Sequence, residues 1–157
     1  MFKDFIRAAG ADYEGVFMQL FLYTAGLAVM VLLAIEDLRF LKLNMPVIWL
    51  MSLTAVVLRI ISQEDIWSIL LSFIPGLLLI LISGITRGTV GLGDGFAVMM
   101  VGACLDFFRT VGVVSVSLIL LSVGALVMLI FKKAGRKTIV PYMPWLLTAY
   151  ILGGILK

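Results

Sequence analysis

Asp37 and Asp94 are the residues in this sequence on which chemistry is most readily built. Asp37 follows the first long apolar stretch and Asp94 precedes the fourth, 57 positions further on (94 − 37). An ionised carboxylate beside a bilayer is costly, so its presence there points to function or to a water-lined site. Two carboxylates that share one water divide the work of general base and general acid. Their proximity pushes the two pKa values apart and keeps one of them protonated. That is the chemistry of an aspartic protease. Asp94 sits in TRGTVGLGDG, where Gly88, Gly91, Gly93 and Gly95 free the backbone for a sharp turn and a close approach. Such a turn also suits a phosphate cradle, but the lysine of that motif is missing. Asp37 alone, beside Arg39, reads equally well as a solvated charge at a helix end. Glu36 is a third acid in the same region.

Other chemistries are excluded by composition. The chain has no histidine and a single cysteine, Cys104. An intrachain disulfide, a Cys/His zinc site and a Ser–His or Cys–His nucleophile pair are therefore ruled out. No metal and no cofactor are expected. A net charge of +3 is too small to argue for nucleic acid.

The elements that must position the acids are apolar. Of the 157 residues, 63% are hydrophobic and 13% are charged, where a soluble domain carries about a quarter charged residues. Lipid must be the solvent for most of this surface, and only helices or closed barrels satisfy their backbone there. The pattern predicts an all-α, polytopic membrane protein with about six spans at ~20 residues each. The apolar segments run Val16–Ile35, Leu43–Ser62, Ile66–Thr86, Gly95–Phe108, Thr110–Phe131 and Thr138–Leu156. Pro75 and Gly76 predict a kink in the third. Asp106 falls within the fourth. Residues 1–15 form a polar–apolar N-terminal segment, a candidate interfacial helix, and residues 16–157 form the six-helix domain. No cleavage site of signal-peptide type follows the first apolar run.

The basic residues set the expected orientation. Arg39 and Lys42, then Arg87, then Lys132, Lys133, Arg136 and Lys137 fall on alternate connections, which share the cytoplasmic side. The opposite connections hold only Arg59 and Arg109, beside Glu64, Asp65 and Asp106. Asp37 and Asp94 then lie at the cytoplasmic face, and both termini lie outside.

The stretch RGTVGLGDGFAVMMVGACL resembles the GxGD region of type IV prepilin peptidases and preflagellin peptidases. These are membrane aspartic proteases that cut short leaders from prepilins and preflagellins. The motif aspartate falls on Asp94, with Gly91 and Gly93 as the motif glycines. AIEDLRFLKLNMP resembles the other catalytic segment and places its aspartate at Asp37. IVPYMPWLLTAYILG is similar to the family's final helix. The resemblance spans roughly residues 20–155 in motif order. It implies a catalytic Asp37/Asp94 dyad, no cofactor, prepilin-like precursors as partners, and Glu36 as a candidate contact for a basic leader. Two departures stand out: Asn44-Met45-Pro46 replaces a Pro-Asn order, and Phe96 stands where a lysine is common. The bifunctional relatives carry a cysteine-rich insertion and N-methyltransferase activity. With one cysteine and no insertion between spans, this chain resembles a compact, peptidase-only member.

Two rival readings remain at the level of sequence. One is a small transporter or channel subunit with an Asp-based cation or proton site. The other is a non-catalytic pilus-assembly subunit. The orientation underlies all three and is directly testable. Cysteines introduced within 36–44 and 132–137 should resist an impermeant thiol reagent applied to intact cells, and ready labelling would reverse the assignment.

Overall fold

The computed structural model describes residues 2–40, 43–62, 64–86, 91–130 and 141–155. Among the described residues every regular element is helical. They are α1 (Phe2–Phe40), α2 (Met45–Ile61), α3 (Ile66–Ser72), α4 (Ile74–Ile85), α5 (Leu92–Cys104), α6 (Phe107–Ile130) and α7 (Met143–Ile155). Three stretches are long and apolar enough to cross a membrane: Val16–Phe40, Ile66–Ile85 and Phe107–Ile130. The helix containing the first begins at Phe2 and is continuous through residue 16. Large apolar side chains face outward all round the bundle, with Trp67 73% and Phe108 82% exposed. A water-soluble monomer rarely exposes contiguous apolar surface on this scale, and lipid accommodates it without cost. Lys42, Arg87 and the Lys132–Lys137 cluster, on which the orientation rests, lie outside the described residues, as do Gly88 and Lys157.

Local sequence accounts for the helix boundaries. Asn44 is extended and precedes α2, with Pro46 near the start of the helix where its missing N–H costs nothing. The third apolar segment breaks at Phe73, between α3 and α4, two residues before Pro75. A proline ring cannot accept the helical geometry behind it, so the expected kink takes this form. The fourth segment is shorter than its hydropathy suggests. Helix α5 stops at Cys104, and Leu105 is extended. Asp106 therefore lies in the link to α6 rather than within a span, and it pairs with exposed Arg109 at 3.3 Å.

Helix α5 is the centre of the bundle. Its residues Gly95, Ala97, Val98 and Met100–Cys104 are buried, and α1, α2, α3, α4 and α6 all pack against it. Glycines set the closest of these approaches. A Cβ on Gly95 would meet the backbone nitrogen of Ile80 at 3.1 Å, and one on Gly76 would meet that of Met99 at 2.5 Å. Small residues at such crossings let backbones pack where no hydrophobic force acts between helices. Trp49 meets Phe96 near the starts of α2 and α5, and Arg59 meets Gly102 near their ends, so these two helices run parallel. Helices α3 and α4 run back against α5. Met143 lies at Asp37 and Gly154 at Tyr23, so α7 runs antiparallel to α1.

Thirteen residues make a helix of about 20 Å, shorter than the ~30 Å hydrocarbon core. The end groups of α5 therefore need partners from inside the protein. Arg59 supplies them at the C-terminal end. It was expected among the outer connections, but it is only 3% exposed. Its Nη1 donates to Ser72 Oγ at 3.1 Å, to the Gly102 carbonyl at 3.2 Å and to the Leu105 carbonyl at 3.0 Å. Its Nε is 2.7 Å from Glu64 Oε2. A cation at a helix C-terminus is also favoured by the negative end of the helix dipole. The one residue binds the ends of α2, α3 and α5 together.

Arg59→Met should destabilise the protein by on the order of 3 kcal/mol, because charged hydrogen bonds and a buried ion pair are lost together. Arg59→Lys should fall between Met and the native residue. Unfolding of purified protein in mixed micelles measures this, and a loss below about 1 kcal/mol would mean that the helix ends are satisfied otherwise.

Candidate active site

The antiparallel course of α1 and α7, and the parallel course of α2 and α5, bring four chain segments to one end of the bundle. These are the end of α1, the starts of α2 and α5, and the start of α7. Asp37 and Asp94 are both there, close enough for the charge of one to act on the other.

Asp37 leaves the last turns of α1 and is 7% exposed. Its Oδ2 accepts the Met143 N–H at 3.1 Å, at the first turn of α7. That N–H is one of the donors a helix start leaves unpaired, and the positive end of the helix favours an anion there. Pro144 follows immediately and has no N–H to offer.

Asp94 is half-buried in the first turn of α5, outside the three long apolar stretches. It stands three residues after Gly91, the cap of that helix, and its backbone N–H donates to the Gly91 carbonyl at 3.1 Å. Its carboxylate turns back to the Gly91 N–H, the arrangement of a capping box without the hydroxyl partner. A Cβ on Gly91 would lie 2.9 Å from that carboxylate. Gly93 serves a different contact: a Cβ there would lie 2.8 Å from Leu43 Cδ1. Its absence lets the segment joining α1 to α2 press onto the start of α5. Burial, and then the neighbouring Asp37, push the Asp94 carboxyl up from 3.8 to about 6, against the lowering effect of the Gly91 N–H.

Glu36 has a structural partner. Its Oε2 accepts the Asn44 N–H at 3.2 Å and so closes the connection between α1 and α2. Phe96 packs on Trp49 of α2, with ring centres 5.5 Å apart, which gives the phenyl ring a packing role.

Tyr142 was not singled out in the sequence. It immediately precedes Met143, is buried, and lies within the electrostatic reach of Asp94. Ser117 donates to the Val114 carbonyl, so the Tyr142 hydroxyl is the donor in its 2.8 Å bond to Ser117 Oγ. This bond fixes the approach to α7, and with it the Met143 N–H that holds Asp37. Its only sequence signal is its place between Pro141 and Pro144, which restricts the backbone at the helix start.

Together these residues form two carboxylates of unequal environment at a partly open end of an apolar bundle. Such a pair can hold a water, take its proton and return one to a polarised carbonyl. Among the described residues no three His, Cys, Asp or Glu side chains gather as a metal-binding group. Comparison with protein-family models, with curated proteins and with solved structures finds no match for this chain.

The raised value of Asp94 makes a prediction about stability. A group that holds its proton more tightly when folded stabilises fully below the unfolded value of 3.8, and that contribution is lost as pH rises through about 6. Asp94→Asn keeps an acceptor for Gly91 and removes the repulsion from Asp37. Its melting temperature should match the native protein near pH 4 and exceed it at pH 7.5. A variant that is less stable at pH 7.5 than at pH 4, relative to native, would show that the charged form is the one favoured by the fold.

Proposed function

We propose that the protein is a membrane aspartic endopeptidase of the prepilin-peptidase type, with Asp37 and Asp94 as its catalytic dyad. One observation carries the reading: two acids 57 positions apart in the chain lie at one end of the bundle within reach of each other's charge, Asp37 accepting the Met143 N–H at the start of α7 and Asp94 in the first turn of α5. The resemblance of the segments around Asp37, Asp94 and Tyr142 to that family points the same way. Apolar helices and an apolar exterior support a multi-pass protein of the cytoplasmic membrane. In the proposed arrangement there are about six spans, α3 and α4 forming one of them, with the acids at the cytoplasmic face and both termini outside.

The mechanism follows from the unequal pair. In the proposed cycle Asp94, whose carboxyl is pushed up by burial and by Asp37, starts with the proton and Asp37 without it. Asp37 takes a proton from a water between the two as the water oxygen attacks the scissile carbonyl. Asp94 gives its proton to the carbonyl oxygen. The resulting diol collapses, the C–N bond breaks, and the amine leaves with the proton held by Asp37. The product acid returns its proton to Asp94. The substrate is a precursor with a short basic leader before an apolar segment, so it lies across the membrane boundary where the acids are. Glu36, tied to Asn44, adds negative charge beside that path. No methyl transfer to the new terminus accompanies the cut.

Asp37→Asn and Asp94→Asn should each reduce cleavage of a prepilin-like peptide in detergent by at least about 10³-fold, and the double variant should be no worse than either single one, since the two act on one water. Both singles should remain folded. The shortened product should carry no label from a radioactive methyl donor. Near-native cleavage by either variant would remove the dyad. Proton or cation flux abolished by the same substitutions, with no cleavage by the native protein, would favour a transport site instead.

A further inference from the structure

The end of the bundle away from the acids holds a cavity of about 790 Å³. It lies between α1 and α6, with α7 behind it and the end of α5 beneath. Leu20, Leu22, Val113, Val116 and Leu152 make its walls apolar. Leu20 and Leu152 are exposed at its edge, so it opens sideways, toward where lipid would be.

Its polar groups are of both signs. Arg59 and Arg109 line it, and so do Glu64, Asp65 and Asp106. Arg59 is committed to Glu64 and to the end of α5. Arg109 touches Asp106 through Nε alone, and the pair is roughly half exposed. Asp65 precedes α3 without capping it through its side chain, and it is exposed. The mouth therefore offers a guanidinium with open N–H groups and an uncommitted carboxylate, with one net negative charge among the five residues.

Size decides between the apolar ligands a membrane could supply. A helix about 10 Å across would fill this volume in about 10 Å, or some seven residues. That is a fraction of a span. Hydrocarbon chains are narrower and fit such a cleft lengthwise. We infer that the cleft is a binding site for a zwitterionic aminophospholipid. Its acyl chain lies along Val113, Val116 and Leu152, its phosphate meets Arg109, and its primary ammonium meets Asp65. With the Arg59–Glu64 pair set aside, an anionic lipid without an amine would face two carboxylates, Asp65 and Asp106, and one guanidinium. A quaternary ammonium has no N–H to donate to Asp65. The site is independent of the peptidase reading.

Gly112 gives a clean test. It lines the cavity, and a Cβ there would have nothing within 4 Å. Gly112→Phe should fill the cleft without harming α6, because glycine is the poorer helix former by about 0.5 kcal/mol. Native mass spectrometry of protein in micelles, loaded with phosphatidylethanolamine and phosphatidylglycerol of identical chains, reads retention. The native protein and Gly112→Ala should keep the ethanolamine lipid at least about fivefold over the glycerol lipid. Gly112→Phe should lose both to the background of the micelle, with unchanged thermal unfolding. Asp65→Asn, at an exposed position, should retain lipid but lose the preference, and it decides the matter if the filled variant does not fold. Equal retention of the two lipids by native protein, full retention by Gly112→Phe, or a bound peptide in place of lipid would overturn the assignment.

Discussion

The shortness of α5 is the constraint on which the rest of the structure depends. A central helix of 13 residues in an apolar bundle cannot bring its own end groups to water at both sides. Each end is met by a side chain of the sign the helix dipole favours: Arg59 at the carbonyl end and Asp94 at the amide end. Arg59 in turn requires Glu64 in the link before α3, and Ser72 at the end of α3, so three helices are drawn to one guanidinium. The close glycine crossings between α4 and α5 then have their register set from both ends.

The same logic places the second acid. Helix α7 begins inside the bundle, and Asp37 from α1 receives one of its free N–H groups. The two carboxylates thus answer structural needs of two different helices. They lie within reach of each other's charge because those helices begin at the same end. Burial first, and the neighbouring Asp37 second, push the Asp94 carboxyl up in this position.

The bundle has two polar ends of different character. At one, two carboxylates are gathered with Tyr142 and the α7 start, and Leu43 and Phe96 pack against the adjoining core. At the other, charges of both signs rim a cleft beside exposed leucines. At the cleft itself, Tyr23 and Tyr150 stack at 4.8 Å, and each hydroxyl donates to the other residue's carbonyl. This pair ties α1 to α7 at that end.

Hydropathy alone determined that the chain is helical and apolar on its outer surface, because backbone groups in lipid have few ways to be satisfied. The break before Pro75 was legible for an equally local reason, the steric demand of the ring. The glycines marked close backbone approach, but the turn expected around Gly91, Gly93 and Asp94 is in the structure the start of α5, with Gly91 as its cap and Gly93 and Asp94 in its first turn. Arg59 was not legible: one charge near the end of an apolar run reads as a boundary, and only the packing of α3 and α5 around it reveals a buried cation. The same holds for Asp106, whose place in a link depends on where α5 stops. Glu36 and Tyr142 took their roles from Asn44, Ser117 and Met143, partners that hydropathy does not pair. Asp37 and Asp94 were recognisable as candidates in the sequence, but their meeting was decided by the directions of α1, α5 and α7. Direction and register arise from contacts between distant segments, and no local run of residues contains them.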